Sequence, residues 1–450
     1  MTTALRNTFL FLAVALLYIL VGATDAWIFP GSWNSTLTML NFALISAIMA
    51  LGVNLQWGFA GLFNVGVMGF VALGGLAAVL IAMPPTPGAM AAGGWQILLG
   101  LVMGAATIVL AVLARSRMAE GWPRALATLA ILIVGFFVFR SVFDPAVGRV
   151  EAINPASTGY LGGLNFGGEN YKAYGWLTII AWPVGGVLAA GAAWVIGKTA
   201  LGLRSDYLAI ATLGIAEIII AVMKNEDWLA RGVKNVIGIP RPVPYEIDLQ
   251  NDPGFVGQAA AYGLDPVTAS TLWVKVGYSA LFTVFLIVLL ILAQLALNSP
   301  WGRMMRAIRD NETAARAMGK NVTARHLQIF ILGSALCGIA GAMLVTIDGQ
   351  LTPTSYQPLR FTFLVWVMVI VGGSGNNFGA VLGGFLIWWL WVMVEPLGLW
   401  VAEVTTAGLD PTNWFAVRMS EFGAHMRLLT MGVVMLLVLR FSPRGLMPEK

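Results

Sequence analysis

Long apolar stretches recur along the whole chain, and they constrain its fold more than any other feature. Stretches of ~18 or more apolar residues are long enough to cross a bilayer as helices. The chain is 58% hydrophobic and only 10% charged, whereas soluble domains carry roughly 25% charged residues. The sequence therefore predicts an all-α, polytopic membrane protein with about 10–12 transmembrane or re-entrant helices.

The hydropathy pattern predicts ten crossings, at 7–24, 39–55, 60–83, 95–114, 124–143, 173–197, 206–224, 274–297, 327–347 and 428–441. Two shorter apolar arms, 361–372 and 378–394, flank a glycine-rich turn at 372–375. Because both arms are short for a full crossing, the turn predicts a discontinuous or re-entrant element. Close packing of neighbouring helices is the alternative explanation for these glycines.

The distribution of basic residues predicts the orientation of the chain. If Arg6 is cytoplasmic, alternation puts the basic loops 114–123, 198–205 and 298–326 on the same side as the C-terminal tail. The segment 225–273 then lies outside, as a periplasmic segment of mixed charge. This bias accounts for the formal charge of +5, so nucleic acid is not an expected partner. The first apolar stretch resembles a signal peptide but lacks a convincing cleavage site, which predicts a retained helix and cytoplasmic termini.

The basic loop S-P-W-G-R-M-M-R-A-I-R-D-N-E-T-A-A-R-A-M-G, at 299–319, predicts two short helices at the membrane surface. Ser299 and Pro300 are typical of a helix start, Asp310-Asn311 of a second cap, and Gly319 of a helix stop. The arginines are expected to point outward. Small residues on one side suit docking into a groove on another protein, and an amphipathic helix on anionic lipid is the alternative.

Several segments resemble one family of transport proteins. T-A-A-R-A-M-G (313–319) resembles the loop motif of ABC importer permeases, with Thr313 in place of the usual glutamate. The further segments with this resemblance are L-G-V-N-L-Q-W-G-F-A-G-L-F-N-V-G (51–66), D-Y-L-A-I-A-T-L-G-I-A-E-I (206–218), G-I-P-R-P (238–242), S-P-W-G-R-M-M-R-A-I-R-D-N-E (299–312), V-G-G-S-G-N-N-F-G-A-V-L-G (371–383) and the tail at 426–448. Together they resemble the longer permease subunit of branched-chain amino acid ABC importers, over roughly 40–83 and 200–448.

This resemblance implies a single permease domain over 1–450, in which the weakly matching stretch 84–172 adds extra helices and a loop. It implies a bacterial inner-membrane protein, surrounded by lipid, that moves branched-chain amino acids inward. The implied partners are a second permease subunit, two ATP-binding subunits and a periplasmic substrate-binding protein. The chain itself would be no enzyme and would bind no cofactor, because the partner subunits hydrolyse ATP. The implied ATPase contact within the coupling loop 298–326 comprises Arg306, Asp310, Asn311, Glu312, Ala314, Ala315, Met318 and Gly319.

Polar groups inside or beside apolar segments are candidates for the translocation path, because such groups are costly in lipid. The candidates are Asn54, Gln56, Asn64, Glu217, Ser374 and Asn376. The first three could instead satisfy the backbone of a broken helix, and Glu217 could lie near the outer boundary or bond a neighbouring helix. An importer of urea or short-chain amides shares these motifs, and an ion-gradient-driven secondary transporter that uses Glu217 is an alternative of another class.

Catalytic and metal sites find little support in the sequence. The two histidines, His326 and His425, are not clustered with acidic or serine residues, and no metal site is expected. The stretch G-A-A-W-V-I-G-K-T at 191–199 resembles a phosphate-binding loop, but its first glycine is displaced by one residue and no strand precedes it. The resemblance also implies that the binding protein, rather than this chain, largely selects the substrate.

Overall fold

The computed structural model describes residues 3–23, 25–26, 29–30, 32–153, 159–203, 205–408, 410 and 413–449. Its helices are α1 (Thr3–Ala23), α2 (Trp33–Ala60), α3 (Val67–Ala82), α4 (Trp95–Arg117), α5 (Trp122–Glu151), α6 (Trp176–Ala200), α7 (Ser205–Asn225), α8 (Asp227–Ala230), α9 (Glu246–Gln250), α10 (Pro253–Ala261), α11 (Pro266–Asn298), α12 (Pro300–Asp310), α13 (Glu312–Ala317), α14 (Val322–Asp348), α15 (Leu364–Gly372), α16 (Asn377–Thr406) and α17 (Trp414–Phe441). Turns of π-helix at Met90–Gly94 and Leu359–Phe363 extend α4 and α15 at their starts.

Strand structure in the described residues is limited to two small antiparallel pairs. The strands are β1 (Asp25–Ala26), β2 (Phe29–Pro30), β3 (Val236–Ile237) and β4 (Gln350–Leu351). β1 pairs with β2, and β3 pairs with β4. The second pair joins the loop that follows α7 and α8 to the turn that follows α14. It therefore holds two loops that are distant in sequence together at one end of the bundle.

Nine helices in the described part of the chain are both long and apolar enough to cross a membrane. Two shorter apolar helices, Val67–Ala82 and Leu359–Gly372, accompany them. The predicted all-α polytopic fold is therefore confirmed. Residues 84–172 contain two long apolar helices, α4 and α5; that they are additional to the family's common helices stays a prediction.

Three predicted segments have other bounds in the structure. The crossing predicted at 60–83 is a 16-residue helix, because the chain breaks at Gly61 before α3 begins. The second arm, predicted to end at 394, is wrong in length: α16 is a 30-residue helix that continues through Pro396. Arg427 of α17 forms an ion pair with Glu395 and donates a hydrogen bond to Trp391 O. The Glu395 carboxylate inside α16 therefore has a charged partner. The crossing predicted at 428–441 begins earlier, at Trp414.

The core forms around α2 and α14, in which 78% and 72% of the apolar window is buried. α14 packs on α2, α3 and α6, while α2 also contacts α11 and α16. The hairpin of α4 and α5 lies apart, with 17% and 6% of its apolar windows buried. Its own small hydrophobic cluster includes Ile97, Phe143 and Trp228. Lipid is the natural environment of the remaining apolar surface of this hairpin.

Glycines allow α3, α6 and α14 to cross at very short distance. A Cβ atom on Gly74 would lie 1.8 Å from the carbonyl oxygen of Gly338, and a Cβ on Gly338 would lie 2.4 Å from that of Gly185. We call Gly74, Gly185 and Gly338 the glycine crossing. Since lipid gives no hydrophobic drive for helix association, such close backbone contact is a main source of stability in a membrane bundle.

The predicted alternation of loops agrees with the contacts at the two ends of the bundle. One end, here the loop end, contains α12 and α13, the turn at 373–376 and the tail at 442–449. Gly58 near the end of α2 meets Gly375 there, and Gly197 near the end of α6 meets Leu327 near the start of α14. The opposite end contains residues 226–265 and the β3–β4 pair. The basic loops near Lys198 and Arg306 thus share one end.

Candidate functional site

The basic loop forms two short helices, as the sequence predicts. Pro300 is the first residue of α12, and Asn311 caps α13 by accepting a hydrogen bond from the Ala314 N–H at 2.9 Å. Gly319 ends the loop with a φ of +75°, a left-handed conformation that favours glycine. Ser299 stands at the predicted start, but its hydroxyl donates to Ala296 O instead of capping α12. Residues 299–321 are called the docking loop below.

α13 projects from the bundle with most of its surface uncovered. Ala314, Met318 and Gly319 are exposed, with Met318 79% accessible, whereas Ala315 is half-buried. Glu312 and Arg316 form an ion pair one turn apart, at 2.6 Å. Met318 is apolar and exposed, and Ala314, Ala315 and Gly319 near it have a methyl group or no side chain. Another protein can therefore approach this surface closely.

The arginines of α12 point in two directions. Arg303 is exposed, as predicted, but the outward prediction is wrong for Arg306 and Arg309, which are both half-buried. Arg306 donates to Leu297 O, and Arg309 lies against the end of α2. Arg309 donates to Gly58 O and to the Glu449 carboxylate, the latter at 2.8 Å. The carbonyls of the last turn of a helix have no partner within the helix, which leaves Gly58 O free to accept.

Arg309 also donates to Asp310, at 3.0 Å. Burial lowers the pKa of the Arg309 guanidinium, but its hydrogen bonds to Glu449 and Asp310 outweigh this effect and leave the pKa raised. The side chain therefore stays charged and connects α12 to α2 and to the tail. Sequence reasoning missed Glu449, because nothing in a terminal glutamate indicates its partner.

The tail runs beneath the turn between α15 and α16. Leu446 N and Met447 N donate to Val371 O and Gly372 O, both at 2.9 Å. The turn itself contains Gly373 and Gly375, each with positive φ. The predicted break at 372–375 is thus present, and the carbonyl groups of Val371 and Gly372 accept hydrogen bonds from the tail backbone.

Asn54 connects this turn to the core. Asn54 is fully buried, and its Oδ1 accepts from the Gly375 N–H at 2.9 Å, while its Nδ2 donates to Asn377 Oδ1 at 3.0 Å. Asn377 in turn donates to Gln294 of α11. These amides join α2, α11 and α16, and Asn377 and Gln294 were not among the predicted site residues.

Gln56 and Asn64 form hydrogen bonds at the second break between helices, which lies between α2 and α3. Gln56 donates to Phe330 O and Ser334 Oγ of α14 and accepts from Asn64 at 2.9 Å. Asn64 Oδ1 accepts from the Gly66 N–H. Of the two explanations open for these amides, the structure shows the bonding that serves a broken helix. A role in the translocation path stays a prediction.

Replacing Asn54 with leucine is expected to destabilise the chain by about 1–3 kcal/mol, because the Gly375 N–H and the Asn377 amide lose buried partners. Thermal unfolding of the purified protein measures this change. Asn225→Leu is the matched control, since Asn225 is exposed. Equal melting temperatures for the two variants would contradict the stabilising role.

The remaining path candidates lie in three different environments. Glu217 is exposed on the outer face of α7, beside Ile218, which is 62% accessible. Asn376 caps α16 by accepting from the Phe378 N–H at 3.0 Å, and it also lines a cavity at the loop end. Ser374 lines a neighbouring cavity of about 570 Å³ together with Arg309. The structure therefore brings Ser374 and Asn376 near the docking loop and separates them from Glu217.

Nucleotide and metal sites have no geometric support within the described ranges. Residues 191–199 lie inside the continuous helix α6, so they form no phosphate-binding loop. No group of three or more histidine, cysteine, aspartate or glutamate residues suits a metal ion in the described part of the chain. The described polar groups at the loop end include amides, arginines and the carboxylates of Asp310, Glu312 and Glu449, which can bind and position but do not form a catalytic set.

Comparison with known proteins identifies the family. The model for the branched-chain amino acid transport system permease component matches residues 146–439, more than half of the chain. The chain belongs to this permease family. It is a transport component rather than an enzyme, and the matched region contains the docking loop and the glycine turn but not α2 and α3.

Its relatives include the permease protein LivM of the high-affinity branched-chain amino acid transport system of Escherichia coli K12. That protein is 26% identical over 344 residues, which are 74% of this chain and 73% of the relative. A probable LivM of Methanocaldococcus jannaschii is 26% identical over 248 residues, 55% of this chain and 61% of the relative. The xylose transport system permease protein XylH of Escherichia coli K12 is 25% identical over 199 residues, 43% and 47% of the two chains. No solved structure matches the chain.

Proposed function

We propose that this chain is one permease subunit of an ATP-driven importer of branched-chain amino acids in a bacterial inner membrane. The observation that carries the proposal is α13, a short helix whose apolar and small residues project uncovered from the loop end. Two ATP-binding subunits are the proposed partners at this surface. A second permease subunit and a periplasmic substrate-binding protein complete the proposed assembly.

The basic loops support a cytoplasmic position for the loop end, since positive residues favour that side of the membrane. An ATPase on this side would contact Ala314, Ala315 and Met318 at the surface of α13. Arg306, Asp310, Asn311 and Glu312 lie on the same loop and would orient it, with Gly319 permitting the turn back into α14.

Movement of the docking loop would reach the core through Arg309. This side chain joins α12 to Gly58 O and Glu449, and the tail and Asn54 both hold the turn at 373–376. Closure of two ATP-binding subunits would thus act on α2, α15 and α16 together. Import requires two conformations of similar free energy, which ATP and the loaded binding protein shift in opposite directions.

The test is reconstitution of the complete assembly, with the second permease, ATPase and binding-protein genes taken from the genomic neighbourhood of this chain. We expect co-purification with the ATPase and ATP-dependent uptake of leucine, isoleucine or valine. Uptake driven by a proton gradient with this chain alone would contradict the proposal and favour a secondary transporter. Uptake of urea, amides or xylose but not of branched-chain amino acids would contradict the proposed substrate class.

Labelling of single cysteines introduced at Arg303 and Lys234 tests the orientation separately. Arg303 is exposed at the loop end and Lys234 lies at the opposite end. Impermeant reagent added to intact cells should label position 234 and not position 303. The reverse pattern would show that α13 lies outside the cytosol, where a cytosolic ATPase could not bind it.

A further inference from the structure

A continuous groove runs along the surface of the hairpin formed by α4 and α5. It consists of two cavities, of about 450 and 440 Å³, that share Leu132 as a lining residue. The first lies at the turn between the helices and includes Arg115 and Arg124. The second lies further along both helices and includes Gly135 and Phe136. We call the two together the hairpin groove. Its lining residues all precede residue 146, where the match to the permease family begins.

The turn of this hairpin lies at the loop end. The Phe143 ring of α5 packs on the Trp228 ring with centroids 5.5 Å apart, and Gly93, just before α4, meets Ala146. These contacts hold the start of α4 and the end of α5 at the opposite end of the bundle. α4 has 23 residues, and at ~1.5 Å per residue such a helix crosses the bilayer. The basic part of the groove therefore lies at the membrane surface, and its apolar part lies within the hydrocarbon.

The part of the groove at the turn is basic. Arg115 is exposed, and its guanidinium has no bonded partner among the described residues. Arg124 contacts Glu120 at 3.5 Å, but the Glu120 side chain is 94% accessible, and ion pairs in water are weak. A guanidinium has five N–H donors, so this one contact leaves others free for a ligand. With Arg117, which is also exposed, residues 115–124 contain three arginines and one glutamate, a balance that favours an anionic ligand.

The second part of the groove is apolar. The hydroxyl of Thr107, which lines it, already donates to Met103 O at 2.9 Å. A Cβ atom on Gly135 would lie 2.1 Å from Thr107 Cγ2, so the two helices are in close contact and no side chain fills the groove at this point. Ile108 and Phe136 also line this part and are 62% and 55% accessible. An alkyl chain lying here gains many van der Waals contacts, which are small individually and favourable in sum.

We propose that the hairpin groove binds one anionic phospholipid from the leaflet at the loop end. Arg115 and Arg124 bind its phosphate, and one acyl chain lies along the groove against Gly135 and Phe136. Basic pockets between membrane helices suit anionic headgroups, whereas a choline or ethanolamine headgroup brings a cation that the arginines repel. The apolar part favours a lipid over a soluble phosphate compound, because only a lipid occupies both parts of the groove. This assignment does not depend on the transported substrate.

Lipid selectivity of the unaltered full chain is the first test. Native mass spectrometry of the delipidated protein in detergent measures the retention of phosphatidylglycerol and phosphatidylcholine, supplied with the same acyl chains at equal concentration. We expect one phosphatidylglycerol molecule to be retained at least about tenfold more strongly than phosphatidylcholine. sn-Glycerol 3-phosphate at the same concentration should not displace it, because this compound has no acyl chain. Equal retention of the two lipids, or displacement by glycerol phosphate, overturns the proposal.

Charge-matched variants locate the headgroup. Arg115→Gln combined with Arg124→Gln should weaken phosphatidylglycerol retention at least about tenfold. The control combines Lys198→Gln with Arg440→Gln, which removes two exposed cations from the last turns of α6 and α17, outside the groove, and should retain the lipid. Glu120→Gln removes a carboxylate from the basic part and should strengthen retention by roughly two- to fivefold. Equal losses in the two double variants, or weaker retention with Glu120→Gln, would refute the proposal.

Two neighbouring alanines test the position of the acyl chain. Ala105 lines the groove, whereas Ala106 is equally exposed on α4 but lies outside it. Ala105→Phe fills the groove with a ring and should weaken phosphatidylglycerol retention at least about threefold, whereas Ala106→Phe should not. Equal retention by the two variants would contradict the placement of the chain and with it the proposal. A second copy of this chain is the competing occupant: a dimer in the same spectra that Ala105→Phe abolishes, without selectivity between the two lipids, would overturn the lipid assignment.

Discussion

Replacing Ala314 with arginine should abolish ATP-coupled uptake by the reconstituted assembly while the chain still folds and inserts. Ala314 is exposed on α13, so the larger side chain meets no part of this chain. In a close interface with an ATPase, the same side chain adds bulk and a charge without a partner. Such changes at the centre of an interface cost about 2–4 kcal/mol or more, which lowers affinity by roughly 30- to 1,000-fold.

Thr323→Asp is the control for this variant. Thr323 is also exposed at the loop end, near the start of α14, where an acidic residue suits the helix dipole. The measurements are ATPase retention during purification and the uptake rate in proteoliposomes. Unchanged uptake with Ala314→Arg would refute the docking role of α13. Ala315→Arg and Gly319→Asp are expected to act in the same direction, although the half-buried Ala315 and the positive φ of Gly319 add a folding cost.

A single methyl group at Gly74 should destabilise the whole bundle. The added Cβ would lie 1.8 Å from Gly338 O, a backbone atom that cannot rotate away, so α3 and α14 must separate. Overpacking of this kind costs about 1–3 kcal/mol or more. Because the contact is between backbones, no change of side-chain rotamer can relieve it. We expect a clear fall in the melting temperature of Gly74→Ala in detergent.

Gly191→Ala provides the matched comparison within the same bundle. Gly191 lies in α6, and a Cβ there meets nothing within 4 Å. Alanine favours helix over glycine by about 1 kcal/mol, so this variant should unfold at the same temperature or higher. If Gly74→Ala and Gly191→Ala melt alike, close backbone packing at the glycine crossing does not determine stability.

The sequence predicted those parts of the fold that depend on local physical chemistry. Apolar length located the long helices, and the residues around Pro300, Asn311 and Gly319 located the two docking-loop helices, because caps and stops act within a few residues. The glycine turn at 372–375 was likewise visible from short flanking arms.

The rest depends on partners that are distant in sequence. Arg309 points inward because the last turn of α2 presents Gly58 O, which no pattern around residue 309 reveals. α16 continues past Glu395 and Pro396, and Glu395 is paired there with Arg427 of another helix, a partner that no local pattern reveals. The amides at Asn54 and Gln56 were recognised as unusual, but their bonding could be assigned only from the packed bundle.

The long separation between bonded amides has a consequence for biosynthesis. Gln56 finds a nearby partner in Asn64, but its bond to Ser334 spans 278 residues, and the bond from Asn54 to Asn377 spans 323. At ~5–20 residues per second, the ribosome needs roughly 15–65 s to supply those partners. An unpaired amide is unfavourable in hydrocarbon. We therefore expect newly made α2 to remain beside the insertion machinery, or to bind water there, until the last third of the polypeptide emerges.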